Sequence, residues 1–291
     1  NGIDPEVLAE AGAKDTDLLI ACATMDETNL VCCRVAEMVY KIPKRIARVR
    51  SSGLGTDNRA LGKQGFGVDE IICPEASLTN YISKLIEYPD AMQVREFAGG
   101  RAALFSVRAR AGAPAVGRQI AELRECMPDL ALRVVAIYRR FLDEPDRFVR
   151  CDGHTRIEPG DEVFILAATE SVSGVLRAIH RPEGRQSTPV YRIMIIGGGQ
   201  VSQRLATSLT KNPGRFHVKI IESNHQNCLS LASALPSEVL VLEGDPTDES
   251  LLEEEGVEEG DLFIALTDDD GDNIMSSLLA KRMSARHVIS L

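Results

Sequence analysis

Two rhythms of apolar positions alternate along this chain. Short apolar runs that read as buried strands are separated by segments carrying one apolar face at helical spacing. Asp17–Cys22 predicts a strand, and Glu27–Tyr40 a helix with Asp26 as its N-cap and Pro43 as its limit. Arg45–Arg50 predicts a second strand, Ser51–Gly55 a break, Ala60–Gly65 a short helix and Val68–Cys73 a third strand. Strand, helix, strand, helix, strand is the second half of a parallel doubly wound sheet. Ala76–Tyr88 then places Leu78, Ile82, Leu85 and Ile86 on one helical face and stops before Pro89.

From Met92 the rhythm changes. Gln93–Phe97 and Leu104–Arg110 alternate, Ile120–Glu125 is a short helix and Arg133–Tyr138 a strand. Thr155–Ile157 leads into a turn at Pro159-Gly160-Asp161, followed by the strand Glu162–Ala167 and the helix Ser171–Ile179. These elements make a small α+β domain of about ninety residues. Arg181–Pro189 is the clearest linker, and a new α/β unit begins at Val190.

The chain resembles itself at an offset of 244 residues. Asp4–Ala36 laid on Asp248–Ala280 without a gap matches at Asp4, Leu8, Glu10, Gly12, Asp17, Leu18, Ile20, Ala21, Asp26, Asn29 and Ala36. Chance gives roughly two or three identities over such a stretch. Leu18–Ala21 and Leu262–Ala265 read as one buried strand, and Asp26 and Asn29 recur as Asp270 and Asn273. In the second copy a glycine-rich loop precedes the shared segment by about fifty residues. The same count back from Asp4 leaves the chain, so both units read as truncated and the sequence as a piece of a longer protein.

That loop carries the candidate chemistry. The strand Arg192–Ile196 runs directly into Gly197-Gly198-Gly199-Gln200-Val201-Ser202, a helix is expected over Gln203–Thr210, and the strand Phe216–Glu222 follows. Glu222 lies twenty residues beyond Ser202, the spacing of a dinucleotide-binding unit. Gly197 permits a tight turn, and Gly199 lets a pyrophosphate approach main-chain N–H groups where the helix dipole favours an anion. Glu222 would accept hydrogen bonds from a ribose hydroxyl and repel a 2′-phosphate, which favours NAD over NADP. The third glycine is replaced by Ser202, which predicts weakened rather than abolished binding. Asp245 ends the third strand and Thr267-Asp268 the fourth, so both loops are expected to face the ligand. The acidic run Asp268–Asp272 does not fit a calcium loop, because alignment on Gly271 puts Leu266 and Ser277 at ligand positions. Asp270 is expected there as a helix cap.

Composition narrows the function. The 43 acidic and 33 basic residues give a net charge of −10, which argues against a nucleic-acid partner. Trp is absent and aromatics are 4%, so stacking platforms for single strands are not expected. Seven cysteines without a C-x-x-C spacing fit buried reduced thiols rather than disulfides or a metal site. No uncharged apolar run approaches the ~20 residues of a membrane helix. The five histidines are scattered, and Pro43 breaks the helix that would align Tyr40 with Lys44. A cofactor clamp without visible catalytic groups points away from an enzyme. An NAD-dependent oxidoreductase with catalytic residues outside this fragment remains the alternative.

Val7–Ala13, Met25–Asn29, Arg45–Arg50 and Leu85–Pro89 resemble the first regulatory domain of the RCK (KTN) family, in its TrkA branch. Gly197–Val201, Ile220–Glu222, Phe263–Thr267, Asn273–Ser276 and Leu279–Met283 resemble the second nucleotide-binding domain of that family. The resemblance covers essentially the whole chain. It implies an α/β chain of Rossmann-like doubly wound sheets: two RCK N-terminal units, both truncated, with a small α+β RCK C-terminal domain between them. The expected bounds are 1–74 for the first unit, 75–188 for a crossover helix and the small domain, and 189–291 for the second unit. It further implies a regulatory subunit that binds NAD(H), with ATP or ADP in competition, and gates a membrane potassium-uptake transporter of the Trk type. Such modules assemble into a ring on the cytoplasmic face of the membrane. In the first copy the resemblance assigns Ala23, Thr24 and Arg48 to the site, with Arg48 as a phosphate contact. Ala23 stands where the second copy has Thr267, and Asn1 where it has Asp245.

Overall fold

The structure, a computed structural model, describes residues 1–50, 61–62, 65–141, 145–182, 190–212 and 214–291. The expected break at Ser51–Gly55, half of the Ala60–Gly65 helix and most of the linker lie outside the described residues. Chain contacts divide the molecule into two compact units, Asn1–Leu78 and Thr79–Leu291.

In the first unit, α1 (Pro5–Glu10) is capped by Asp4, whose carboxylate accepts the Glu6 N–H. Strand β1 (Leu18–Ala21), helix α2 (Asp26–Val35), strand β2 (Lys44–Arg48) and strand β3 (Glu70–Ile72) follow. The three strands are parallel in the order β1-β2-β3. Helix α2 widens into a π turn over Ala36–Tyr40 and stops at Lys41, whose φ of 55° is left-handed. Met25, not Asp26, is the N-cap of α2. Asp26 lies one residue inside, and its carboxylate accepts the Arg50 N–H at 3.0 Å. The expectation of a buried strand at Leu18–Ala21 holds fully only at Ala21, with Leu19 half-buried. β1 pairs with β2 alone among the described strands, leaving Leu18 and Ile20 exposed, while its counterpart in the second unit is central and wholly buried. The core gathers Leu30, Cys33, Ala36, Ile42, Ala47 and Val49. Burial pushes the Cys33 thiol up to about 12, which keeps it protonated and inert.

Helix α3 (Pro74–Glu87) leads out of this unit. The small α+β part contains β4 (Ala91–Phe97), β5 (Ala102–Arg108), helix α4 (Leu123–Cys126), β6 (Leu132–Arg139), β7 (Arg147–Val149), β8 (Glu162–Ala168) and α5 (Val172–His180). Its strands form an antiparallel sheet in the order β4-β5-β8-β6-β7. Val172, Val175, Leu176 and Ile179 of α5 share a core with Phe105, Ile137 and Ile165 of the sheet. Asp161 is buried in the turn before β8, and Arg139 holds it through two bonds of 2.8 Å. The pairing satisfies a carboxylate that burial alone would penalise. The seven cysteines are free thiols.

The last part is a parallel sheet of β9 (Arg192–Ile196), β10 (His217–Glu222), β11 (Val239–Glu243), β12 (Leu262–Ala265) and β13 (His287–Ser290). Helices α6 (Gln200–Leu209), α7 (His225–Ala234), α8 (Glu249–Glu254) and α9 (Asp270–Arg282) connect the strands. The strand order is β11-β10-β9-β12-β13, so the order reverses between β9 and β12. Right-handed crossovers leaving such a pair in opposite directions put α6 and α9 on opposite faces. The crevice between them is where an open α/β sheet takes its ligand. Among the described residues no helix is long and apolar enough to cross a membrane.

Two stability measurements follow. Phe105 is 1% exposed, and Phe105→Ala is expected to cost about 3–5 kcal/mol, read as a lower denaturant midpoint for the unit that contains it. His180 has its pKa lowered from 6.5, chiefly by burial; its Nδ1 lies 2.9 Å from the Arg108 carbonyl, with Asp90, Arg110 and Arg181 around it. A depressed histidine binds fewer protons folded than unfolded, so its stabilisation is complete above pH 6.5 and is lost as pH falls below that. Between about pH 7 and about pH 5.5 the melting temperature should fall further for the wild type than for His180→Gln. Equal falls would show that this side chain does not titrate in that window.

Candidate functional site

The crevice at the strand reversal is a cavity of about 360 Å³ lined by Gly197, Gly198, Gly199, Glu222, Thr267 and Asp268, with Pro246, Asn227, Asp269 and Asp272 among its other walls. Its shape comes from the way two neighbouring strands end. Ile196 pairs with Ala265, and the Leu266 N–H still reaches the Ile196 carbonyl at 2.8 Å. One residue later the chains diverge. Gly197 turns with φ 90°, and a Cβ built on it would stand 2.7 Å from the Leu266 carbonyl oxygen and 2.9 Å from the Thr267 nitrogen. Only glycine fits that turn at that distance.

The second glycine is fixed from the other side. Its N–H donates to Glu222 Oε2 at 2.6 Å, and a Cβ there would meet Leu231 Cδ1 at 2.4 Å. Gly199 is the N-cap of α6, and a Cβ on it would meet nothing within 4 Å. Helix α6 begins at Gln200, three residues ahead of the expected Gln203. Gln200 and Val201 therefore sit in its first turn, where the main-chain N–H groups have no partner within the helix. Ser202 is fully buried on α6, and its hydroxyl has no partner among the described residues.

Glu222 is 8% exposed at the end of β10. Oε2 takes the Gly198 N–H and Oε1 takes the Asn224 N–H at 2.7 Å. Each carboxylate oxygen keeps a second lone pair, so the side chain can brace the loop and still accept a hydroxyl hydrogen. The bracing role is invisible in sequence spacing. Asp245 is used differently: its Oδ1 accepts the Thr247 N–H at 2.8 Å and hydroxyl at 2.6 Å, which lowers its pKa, and its neighbour Pro246 lines the cavity instead. Gln200 and Val201 lie at the helix start rather than among the lining residues. The expected cap at Asp270 is displaced by one residue, because Asp269 accepts the Asp272 N–H at 2.9 Å.

Asn273 is a participant whose role the sequence did not assign, although its recurrence was the signal. It is 1% exposed, and its side chain holds both polar groups of the Thr267 peptide, at 2.8 Å to the N–H and 3.0 Å to the carbonyl. In the first unit Asn29 does the same to Ala23, at 2.6 and 2.9 Å. The structure thus brings Ala23 and Arg48 together there: Arg48 Nη2 donates to the Ala23 carbonyl at 3.0 Å, while its buried Nε has no partner among the described residues. Thr24 is exposed beside them.

Comparison with known proteins gives the family. The TrkA-N domain family matches residues 1–74 and 193–291, and the TrkA-C domain family matches 104–180. The chain belongs to the TrkA family. The Trk system potassium uptake protein TrkA of Vibrio alginolyticus is 43% identical over 99% of this chain and 60% of its own length. Its namesake from Halomonas elongata is 42% identical over 100% of this chain and 61% of its own. The chain therefore spans about three-fifths of these TrkA relatives. Among solved structures, the GsuK RCK domain covers 100% of this chain and 62% of its own at TM-score 0.63, with 16% identity. The GsuK channel bound to NAD covers 100% of this chain and 52% of its own at TM-score 0.60, also with 16% identity. At that identity the likeness is one of fold; the family matches put a TrkA-C segment between two TrkA-N segments along the chain.

Gly197→Ala tests the turn. Its left-handed φ and the 2.7 Å contact are expected to cost about 1–3 kcal/mol, read as faster amide exchange at Leu266 and Thr267 and a lower melting temperature. Wild-type exchange at both amides would refute the contact.

Proposed function

We propose that this chain is the nucleotide-sensing part of a regulatory subunit that binds NAD(H) and gates a membrane potassium-uptake transporter of the Trk type. One observation carries the reading. A three-glycine turn at the strand reversal brings the first-turn N–H groups of α6 to a crevice whose wall includes Glu222, bonded to Gly198 of that turn. Among the described residues the titratable lining is Glu222, Asp268, Asp269 and Asp272, carboxylates rather than the histidine, tyrosine or lysine that a dehydrogenase sets beside a nicotinamide. A clamp of this kind suits a sensor. ATP or ADP would compete through the same helix terminus, with ribose on Glu222. Support for the partner comes from the potassium-uptake relatives, and support for the nucleotide from the NAD-bound channel that shares the fold.

The reading extends to organisation. Residues 1–74 and 189–291 are the two Rossmann-like modules, and 75–188 hold the crossover helix and small domain. Ala23, Thr24 and Arg48 form the first module's site, where the Arg48 guanidinium, bonded to the Ala23 carbonyl, supplies the cation for an anion. Gly197–Val201, Glu222, Thr267 and Asp268 form the second, with Asp245 turned onto Thr247 beside it. Modules associate in a ring at the cytoplasmic face of the membrane, peripheral and held by the transporter. Nucleotide binding shifts the balance between ring states by the difference in its affinity for each. Calorimetric titration of NAD into wild type and Glu222→Ala is the test. The variant should lose about 1–3 kcal/mol of binding, from the ribose contact and the released loop. Unchanged affinity would remove Glu222 from the site, and potassium flux indifferent to NAD and NADH in the intact system would remove the sensor role.

A further inference from the structure

A buried asparagine is costly unless each of its hydrogen-bonding positions is filled. Asn273 fills all of them. Its Oδ1 accepts the Thr267 N–H at 2.8 Å and the Thr267 hydroxyl at 2.9 Å, and its Nδ2 donates to the Thr267 carbonyl at 3.0 Å and the Leu291 carbonyl at 3.4 Å. The side-chain amide thereby pairs with the peptide of residue 267 as a neighbouring strand would. It does so where the chain has left β12 and has no ladder partner. The first unit repeats the arrangement: Asn29 holds the Ala23 N–H and carbonyl and reaches the Arg48 carbonyl at 2.9 Å. The remaining partners differ, with the Arg48 carbonyl in the place of the Leu291 carbonyl. The hydroxyl of Thr267 is missing at Ala23, and the Arg48 guanidinium takes the Ala23 carbonyl instead.

The held peptide is also the surface against which the glycine turn rests. Gly197 lies so close to Leu266 and Thr267 that a single methyl group would collide at 2.7–2.9 Å. A displacement of the 267 peptide therefore moves Gly197, and with it the N–H groups of Gly199 and the first turn of α6. The geometry points to Asn273 as a positioning residue for nucleotide binding: it sets the width of the crevice by fixing the peptide that backs the phosphate loop, without touching the ligand. Asn29 has the same task in the first unit. The inference rests on the nucleotide reading above and adds to it which side chain holds the loop in register.

The test compares the 291-residue chain with Asn273→Asp and Ser276→Ala. Asn273→Asp is nearly isosteric and retains the acceptor for the Thr267 N–H, but loses both donations and sets a carboxylate against two carbonyls. Ser276→Ala removes another buried side-chain bond on the same helix, the 2.6 Å donation to the Asp272 carbonyl, and serves as the control. Calorimetry with NAD and thermal melting are run on all three. The expected result is a dissociation constant raised about tenfold or more in Asn273→Asp, with faster exchange of the bonded Gly197 and Gly198 amides, and a wild-type constant in Ser276→Ala despite its lower melting temperature. Should Asn273→Asp fail to fold, Asn273→Ser carries the same expectation, and failure of both to fold overturns the proposal in favour of a purely structural asparagine. Wild-type affinity in a folded Asn273 variant overturns it while leaving the nucleotide reading intact. A wild-type chain that takes up no NAD overturns both.

Discussion

The contact between the Gly197 turn and the Leu266–Thr267 peptide is the constraint on which the rest of this architecture depends. Ile196 and Ala265 are bonded neighbours in the middle of a parallel sheet, and their chains must leave in opposite directions within one residue. A left-handed glycine makes that departure on one side, and a buried asparagine steadies the departing chain on the other. The crevice, the opening of α6 and the placement of Glu222 against Gly198 all follow from it.

Around this point the apolar runs supply the stability. β9 and β12 are the most buried strands because each has a neighbour on both edges and helices on both faces. The small domain obeys a different rule. Its antiparallel sheet buries one face under α5, and the buried carboxylate of Asp161 is matched by the Arg139 fork.

Strands and the glycine loop were legible in the sequence because their signals are local. Arg192–Ile196 is apolar throughout, and the loop residues follow it without interruption. The helix start was misplaced because Gln200, Val201 and Ser202 belong at once to the loop motif and to the first turn. Three consecutive aspartates each qualify as the cap of α9, and only the geometry of the Asp272 N–H selects Asp269. β7 escaped notice because it is three residues long and paired to a partner along one edge. The exposure of Leu18 and Ile20 depends on strand order, which composition does not encode. Glu222 was found by its distance along the chain, yet its grip on Gly198 spans elements folded together in space. Asn273 stood out only as a repeated letter until its four bonds gave the repetition a cause.

The three glycines of the loop answer to different masters. At Gly198 a side chain would strike Leu231, whether or not any nucleotide were ever present. Such a residue would persist through generations of descendants that had abandoned the ligand altogether. Gly199 faces open room, so alanine there offends nothing in the protein itself. Among relatives of this chain, drift at that one position is therefore the mark by which a retired pocket can be told from a working one.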